Sequence, residues 1–324
     1  MNYKGISFYL SLFCFPISLL AFINILYASY FDYFLSIETY FSTLIVSLTV
    51  GSVLYYYGKS SKKNISFFEQ LILVITSYFL TSLLIAIPFY LSNYQVTFLN
   101  SIFESISGLT GTGFSIFKNI KYLDPTLILW RSSSQWIGGL FFLFFLIIIF
   151  SNKSFNYKMT NLSYSGESNI NSETNIKDNI LKIIIIYSIL TFIILTLLNF
   201  SGSRLFNSLN MSMTLVSGGG FIPTDNIDKI ISTNFQKIIF IFSLIVSMLN
   251  FYLLFNLSSK KRLIKEHRED LYLIILSIIF CILIYFNNYK GLDIIISVVS
   301  SLANSGLTLV KSDNNLSLYF LLIT

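Results

Sequence analysis

The chain has 324 residues, of which 54% are hydrophobic and only 11% are charged. About a quarter of the residues of a soluble domain are charged, so this composition excludes an ordinary soluble protein and indicates a polytopic membrane protein. The net charge of +6 could reflect binding to nucleic acid or to anionic lipid, and the positions of the basic residues decide between the two below.

Apolar runs of about 20 residues, long enough to cross a bilayer, recur along the chain. The first two, at 9–29 and 40–57, follow each other without an intervening pore-loop signal. The first is longer than the apolar core of a secretory signal and lacks a small-residue cleavage site, so we interpret it as a retained span. Further spans are predicted at 68–92, 126–150, 180–200, 234–257 and 271–286.

The polar segments divide the chain into five predicted regions. Residues 151–178 are rich in Ser, Asn, Lys and Glu, which is typical of a solvated loop. The regions are two leading transmembrane helices with an inner loop (1–66), a first pore unit (67–150), a polar cytoplasmic loop (151–178), a second pore unit (179–258), and a cytoplasmic loop with a truncated third pore unit (259–324).

The basic residues predict the orientation in the membrane. Thirteen of the 21 Lys and Arg residues lie in segments that face inward if the N-terminus is cytoplasmic, and five of these lie at 260–268. This bias matches the positive-inside rule, so we expect a cytoplasmic N-terminus and pore loops on the outer face. Topology and lipid headgroups then account for the basic charge without nucleic acid.

Three short segments between these runs share one pattern. Each has a short helix with a polar start, predicted at 98–109, 204–216 and 291–303. A turn of small residues follows and ends in glycine, namely Gly113, Gly220 or Gly306. The next residue is large and apolar, and we expect it to anchor the loop against neighbouring helices. These anchors are Phe114, Phe221 and Leu307.

Such loops suit an ion pathway. A cation that crosses lipid must exchange its hydration shell for other oxygen atoms, and backbone carbonyls are the usual substitute. Several carbonyls can be aimed into one path only with backbone angles that a Cβ atom resists, so glycine is expected there. The carboxyl ends of the short helices would add partial negative charge. We expect no bound cofactor and no side-chain metal site.

Other interpretations remain open at this point. A glycine turn that merely links two membrane helices would explain one such segment, but three in register favour pore loops. Gly111-x-Gly113 lacks the third glycine of a nucleotide-binding fingerprint, because Ile116 stands in its place. A membrane enzyme should show paired acids or clusters of His, Asp and Glu at span ends. This sequence shows no such constellation, so we expect a transporter and not an enzyme.

Two stretches carry a family resemblance. FESISGLTGTGF at 103–114 and WRSSSQWIGG at 130–139 resemble signatures of the TrkH/Ktr/HKT superfamily of potassium transporters, and the two leading spans are similar to its TrkH branch. The resemblance implies an all-α polytopic membrane protein. Its repeated membrane helix–pore loop–membrane helix units would adopt a potassium-channel-like arrangement around a pseudo-fourfold axis. The implied filter residues, whose backbone carbonyls would bind K+, are Thr110, Gly111, Thr112, Gly113, Ser217, Gly218, Gly219, Gly220, Asn304, Ser305 and Gly306.

The resemblance covers two whole pore units and most of a third, whereas the family has four. We therefore expect an incomplete version of a longer transporter, and the alternative is a short form that completes its pore by association. The implied function is inward potassium uptake. A sodium-coupled or sodium-permeable transporter, or a non-functional fragment, is the alternative. The resemblance also implies a homodimer in the cell membrane (the inner membrane of a Gram-negative cell) with a cytoplasmic nucleotide-binding regulator of the TrkA type.

Several residues near the first loop have more than one interpretation. Glu104 is an intramembrane carboxylate that either braces the filter backbone by hydrogen bonds or faces the outer vestibule. Arg131 is expected to extend to the outer interface. Gly138 and Gly139 are expected to allow close helix packing, and the serines at 132–134 are candidates for hydrogen bonds between helices.

Overall fold

The computed structural model describes residues 1–60, 65–150, 173–249, 268–286, 291–307 and 309. Within these ranges the secondary structure is helical, without strands. The chain groups into two compact units, which are described separately. The first unit comprises Met1–Thr110 with Phe114–Asn152, and the second comprises Gly111–Gly113 with Lys153–Thr324.

The first unit is a bundle of long helices around one short helix. The short helix α4 packs between α3 and α5, and α1 packs on α2, α3 and α5. Aromatic side chains fill the contact between α1 and α5, where the ring centroid of Phe13 lies 4.9 Å from those of both Phe141 and Phe145. The helices are Tyr3–Tyr30 (α1), Phe34–Gly58 (α2), Phe67–Leu91 (α3), Phe98–Leu109 (α4) and Pro125–Phe150 (α5).

The second unit repeats this arrangement. The short helix α7 packs against α6 and α8, and the short helix α10 packs against α8 and α9. Their shared core includes Leu215, Phe240 and Ile296, all fully buried. The helices are Glu173–Phe200 (α6), Leu205–Val216 (α7), Asn234–Met248 (α8), Arg268–Phe286 (α9) and Leu292–Leu302 (α10).

Capping side chains define where two of the flanking helices begin. At the start of α3, the Ser66 hydroxyl and the Glu69 carboxylate form a capping box, and Ser66 N donates to Glu69 Oε2 at 2.7 Å. Thr233 and Gln236 form the same device at the start of α8. Each box provides acceptors for N–H groups that the first helical turn leaves unpaired.

The exposed surface of the long helices is apolar. On α3, Ile75 is 70% exposed and Phe79 is 68% exposed, whereas Ser77 and Thr81 are fully buried. This distribution is the reverse of that in a soluble helix and suits a lipid environment. Five helices in the described part of the chain are long and apolar enough to cross a membrane, over Tyr3–Tyr30, Ser36–Gly58, Phe67–Leu91, Pro125–Ile149 and Ile180–Phe200.

One predicted span is wrong in its extent. The apolar run at 234–257 was expected to form a single helix, but α8 ends at Met248 because Leu249 adopts extended backbone (φ −69°, ψ 148°). The rest of that run lies outside the described residues. The polar loop up to residue 172 and the basic run up to residue 267 lie outside them as well.

Candidate functional site

Each short helix ends in the same backbone turn. The C-cap residues Thr110, Ser217 and Ala303 keep right-handed helical angles. The residue after each C-cap is left-handed, with φ of 71° at Gly111, 67° at Gly218 and 57° at Asn304. Asparagine tolerates this region better than most residues that carry a Cβ atom. The pattern thus places a left-handed residue two positions before each terminal glycine, a register that the sequence alone did not reveal.

Backbone hydrogen bonds fix this turn in the second and third loops. Gly219 N donates to Thr214 O at 2.8 Å, and Gly218 N donates to Leu215 O at 3.1 Å. The third loop repeats both bonds with Ser305 N to Ser300 O and Asn304 N to Ser301 O, each at 3.0 Å. This pair of bonds is the Schellman motif, which satisfies the last carbonyls of a helix and reverses the chain.

The second loop approaches the first between Gly220 and Gly113, and it approaches the third between Gly220 and Ser305. A Cβ atom at Gly113 would lie 2.6 Å from Gly220 Cα, and one at Gly220 would lie 2.6 Å from Ser305 O. Side chains do not come so close to backbone atoms, so space requires glycine at both positions. Gly113 also has a left-handed φ of 81°. Gly220 does not have a left-handed φ, so the lack of room for a Cβ atom is the only reason that glycine is required there.

The other predicted filter residues lie at different distances from the neighbouring loops. A Cβ atom at Gly111 would lie 3.6 Å from Ser217 O, and one at Gly218 would lie 3.6 Å from Ala303 O. No described atom lies within 4 Å of the Cβ position of Gly306. Thr110 ends α4 in the first unit. All predicted filter residues are uncharged, so only neutral oxygens of the backbone, of hydroxyl groups and of the Asn304 amide could contact a cation there.

A hydroxyl side chain within each short helix bonds to the residue after the terminal glycine. Sequence reasoning missed these three bonds, although a hydroxyl residue six positions before each terminal glycine was a visible signal. In two loops the hydroxyl donates to a carbonyl oxygen, and in the third it accepts from an amide. The bonds join Ser107 Oγ to Phe114 O at 2.6 Å, Thr214 Oγ1 to Phe221 O at 2.9 Å, and Ser300 Oγ to Leu307 N at 2.6 Å.

A buried ion pair holds the chain that follows the first loop. Glu104 on α4 is fully buried. Its Oε1 atom accepts from Arg131 Nε at 2.8 Å and from Ser115 Oγ at 3.0 Å, and its Oε2 atom accepts from Ile116 N at 2.9 Å. Arg131 Nη2 also donates to Ser115 Oγ at 2.9 Å. The guanidinium lies 5.8 Å from the ring centroid of Phe117. The network links α4, α5 and the loop exit.

For Glu104 one of the two open alternatives is excluded, and for Arg131 the expectation is wrong. Glu104 does not face an outer vestibule but braces backbone, and it does so just beyond the loop. Arg131 does not extend to the interface, because its side chain is 1% exposed and paired with Glu104. The close packing of α4 on α5 removes both charged groups from solvent. A buried charge is costly without an opposite charge beside it, so Arg131 pairs with Glu104.

Two further expectations need correction. Phe114 is 68% exposed and so does not anchor its loop, whereas Phe221 and Leu307 are buried as expected. The serines at 132–134 bond to carbonyls of their own helix α5, at Ile128, Trp130 and Arg131, and these bonds do not link helices. Short hydroxyl side chains in a helix reach their own preceding turn more readily than a neighbouring helix.

Gly138 fulfils the expectation of close packing. A Cβ atom at this position would overlap the carbonyl oxygen of Leu109, the last residue of α4. The surface of α5 therefore lies directly against the carboxyl end of the short helix. The position of the first loop depends on this contact, because the loop begins at the residue after Leu109.

Comparison with known proteins points to one family. The TrkH family model, described as a cation transport protein, matches residues 36–275. An uncharacterized cation transporter of Methanocaldococcus jannaschii is 25% identical over 265 residues, which are 81% of this chain and 54% of that protein. The Trk system potassium uptake protein TrkH of Escherichia coli K12 is 27% identical over 234 residues, which are 68% of this chain and 46% of that protein. The chain spans about half the length of these curated relatives.

A solved structure shares the fold. The crystal structure of the potassium transporter TrkH from Vibrio parahaemolyticus aligns with a TM-score of 0.74 at 17% identity, over 94% of this chain and 64% of that chain. The predicted all-α polytopic membrane architecture is thereby confirmed. Since the family model covers well over half of the residues, the chain belongs to the TrkH family of cation transport proteins.

Proposed function

We propose that the protein conducts potassium into the cell along a path lined by backbone carbonyls of the three loops. The observation that carries this proposal is the close approach of Gly113 to Gly220 and of Gly220 to Ser305, where no side chain fits. Such an approach brings main-chain oxygens of separate loops close together. A dehydrated cation needs several oxygens arranged in this way.

The electrostatics of the loops favour a cation. Each loop follows directly on the carboxyl end of a short helix, and that end carries partial negative charge. The predicted filter residues add no side-chain charge. A monovalent cation would therefore interact with the dipoles of carbonyl groups and helix ends and not with a carboxylate. Potassium is the proposed ion because the sequence resembles potassium transporters and because the E. coli relative is named a potassium uptake protein.

We also propose the membrane setting and the partners. The chain lies in the cell membrane with a cytoplasmic N-terminus, and it works as a homodimer with a TrkA-type nucleotide-binding regulator. Support comes from the family resemblance, the Trk-system names of relatives and the basic residues at 260–268. Neutralising Lys260, Lys261 and Arg262 should weaken co-purification with the regulator. Undiminished binding at physiological salt would leave those residues only a topological role.

Alanine at the closely packed glycines tests the filter assignment. Gly113→Ala and Gly220→Ala should each abolish potassium-limited growth of a strain that lacks its own uptake systems, because a methyl group cannot fit between the loops. Gly202→Ala is the matched control. Gly202 is also left-handed (φ 93°), but it lies in the turn between α6 and α7, where a Cβ atom would lie 4.0 Å from Gln236 Nε2.

The control separates loop packing from backbone strain. Gly202→Ala should support growth, since it adds the strain of a left-handed alanine without any overlap. Membrane levels of all three variants must match that of the unaltered protein. Normal growth and unchanged potassium over sodium preference in both loop variants would contradict the filter assignment.

A further inference from the structure

The hydroxyls that bond to the loops differ from the other hydroxyls of the same helices. A Ser or Thr inside a helix normally bonds back to a carbonyl three or four residues earlier. Three neighbours do so, namely Ser105 to Ile102 O at 2.8 Å, Ser212 to Leu209 O at 2.8 Å and Ser301 to Ser297 O at 2.9 Å. Ser107, Thr214 and Ser300 instead bond forward to the residue seven positions later.

Two of the three forward bonds are inside the protein, and the third is partly buried. Thr214 and Ser300 are fully buried, and Ser107 is 4% exposed although its acceptor residue Phe114 is 68% exposed. Water does not compete for the bonds of Thr214 and Ser300, and a buried hydrogen bond fixes the orientation of the peptide that it holds. In the first two loops the fixed group is the carbonyl of the residue after the terminal glycine. That carbonyl is turned back toward its own short helix.

We infer that Ser107 and Thr214 are positioning residues that determine where the row of ion-binding carbonyls ends and thereby the ion preference of the path, whereas Ser300 braces the backbone of the third loop. This inference rests on the proposed function. A carbonyl of Phe114 or Phe221 that accepts a hydroxyl hydrogen bond is held away from the path. The row therefore stops at the terminal glycine, which limits how many oxygens can replace the hydration shell of the ion.

The third loop uses the opposite polarity. Leu307 N donates to Ser300 Oγ at 2.6 Å, Ser300 Oγ and Ser305 Oγ lie 2.9 Å apart, and Ser305 Oγ donates to Ser300 O at 3.2 Å. With the Ser305 proton used in this way, Ser300 Oγ donates to Ser305 Oγ, and every hydroxyl proton in the chain of bonds has an acceptor. Here the Ser300 hydroxyl holds an amide. Removal of this hydroxyl therefore leaves the buried Leu307 N–H without its acceptor and does not free a carbonyl.

This difference gives two distinct expectations. Thr214→Val keeps the shape of the side chain and releases the Phe221 carbonyl, and Ser107→Ala releases the Phe114 carbonyl by removing one oxygen atom. Each should change the potassium-to-sodium permeability ratio roughly threefold to tenfold, the range that corresponds to the loss of one hydrogen bond. Ser300→Ala should instead lower the amount of folded protein, because Leu307 N–H loses its acceptor in a buried position.

The experiment measures the potassium-to-sodium permeability ratio of the protein in liposomes and the amount of folded protein. Thr214→Ser keeps the hydroxyl and should restore the unaltered ratio. Ser212→Ala is the matched control, because it removes an equally buried hydroxyl of α7 that bonds only within the helix. The expected result is a shifted ratio in Thr214→Val and Ser107→Ala at normal folded yield, with unaltered ratios in Thr214→Ser and Ser212→Ala.

The contrary results are distinct. Unaltered ratios in both Thr214→Val and Ser107→Ala overturn the inference while the proposed function stands. An equal shift in Ser212→Ala also overturns it, since the effect would then follow from any buried hydroxyl of the helix. Absence of potassium-selective flux in the unaltered protein overturns the proposed function and the inference together.

Discussion

At the scale of single residues, the Glu104–Arg131 pair is the strongest electrostatic feature of the described chain. The two side chains are 0% and 1% exposed, and their Nε–Oε1 distance is 2.8 Å. Two charges removed from water need each other, so the loss of one partner is costly even where the intact pair adds little net stability. The pair also holds Ser115 and Ile116, so its loss should loosen the chain that leaves the first loop.

Substitution of Glu104 tests this pair. Glu104→Gln should destabilise the protein by about 3–5 kcal/mol, because it leaves the Arg131 charge buried without a carboxylate. Thermal unfolding in detergent should show a lower midpoint. Glu38→Gln is the control, since Glu38 is an exposed carboxylate on α2. An unfolding midpoint for Glu104→Gln equal to that of the control would show that the pair contributes no such stability.

The sequence left the role of Glu104 open for a physical reason. Its partner Arg131 is 27 positions away on another helix, and local pattern carries no information about such a pairing. The terminal glycines could be recognised from the sequence because each follows a short helix and a turn of small residues within one short segment. The left-handed Asn304 was not visible, because asparagine occurs in many turns without positive φ.

At the scale of elements, the helices were largely predictable, and the main exceptions are the starts of α1, α2 and α6 and the end of α8. The runs at 68–92 and 126–150 correspond to α3 and α5 within a residue or two, because a membrane span needs about 20 apolar residues and little else. The run at 234–257 continues past the end of α8, and hydropathy cannot distinguish extended Leu249 from a helical leucine. The short helices were found because each ends at small residues and glycine.

The contact between α4 and α5 is tested at Gly138. Gly138→Ala should push the carboxyl end of α4 away from α5, because its methyl group would overlap the Leu109 carbonyl. Overpacking of this kind costs about 1–3 kcal/mol, and the displaced loop should also reduce transport. Gly139→Ala, at a partly exposed position on the same helix, serves as control. Equal transport and unfolding midpoints in the two variants would exclude a special role for Gly138.

At the scale of the whole molecule, membership of the TrkH family and the membrane fold follow from the match over residues 36–275 and from the apolar helices. The composition and two signature stretches were sufficient to predict both. The approach of the three loops was not predictable in its geometry, because it joins residues 85 to 107 positions apart, whose separation is set only by tertiary packing. The proposed potassium path depends on that approach.

The most direct test of the potassium path is a reversal potential measured across the membrane of liposomes that contain the purified protein. With potassium on one side and an equal concentration of sodium on the other, the unaltered protein should give a large reversal potential that is negative on the potassium side, because this potential reports the potassium-to-sodium permeability ratio. In Gly220→Ala, whose methyl group would meet Ser305 O and Gly113 Cα, the potential should move toward zero or the current should vanish. Equal permeability to the two ions in the unaltered protein, or an unchanged potential in Gly220→Ala, would contradict the proposed potassium path.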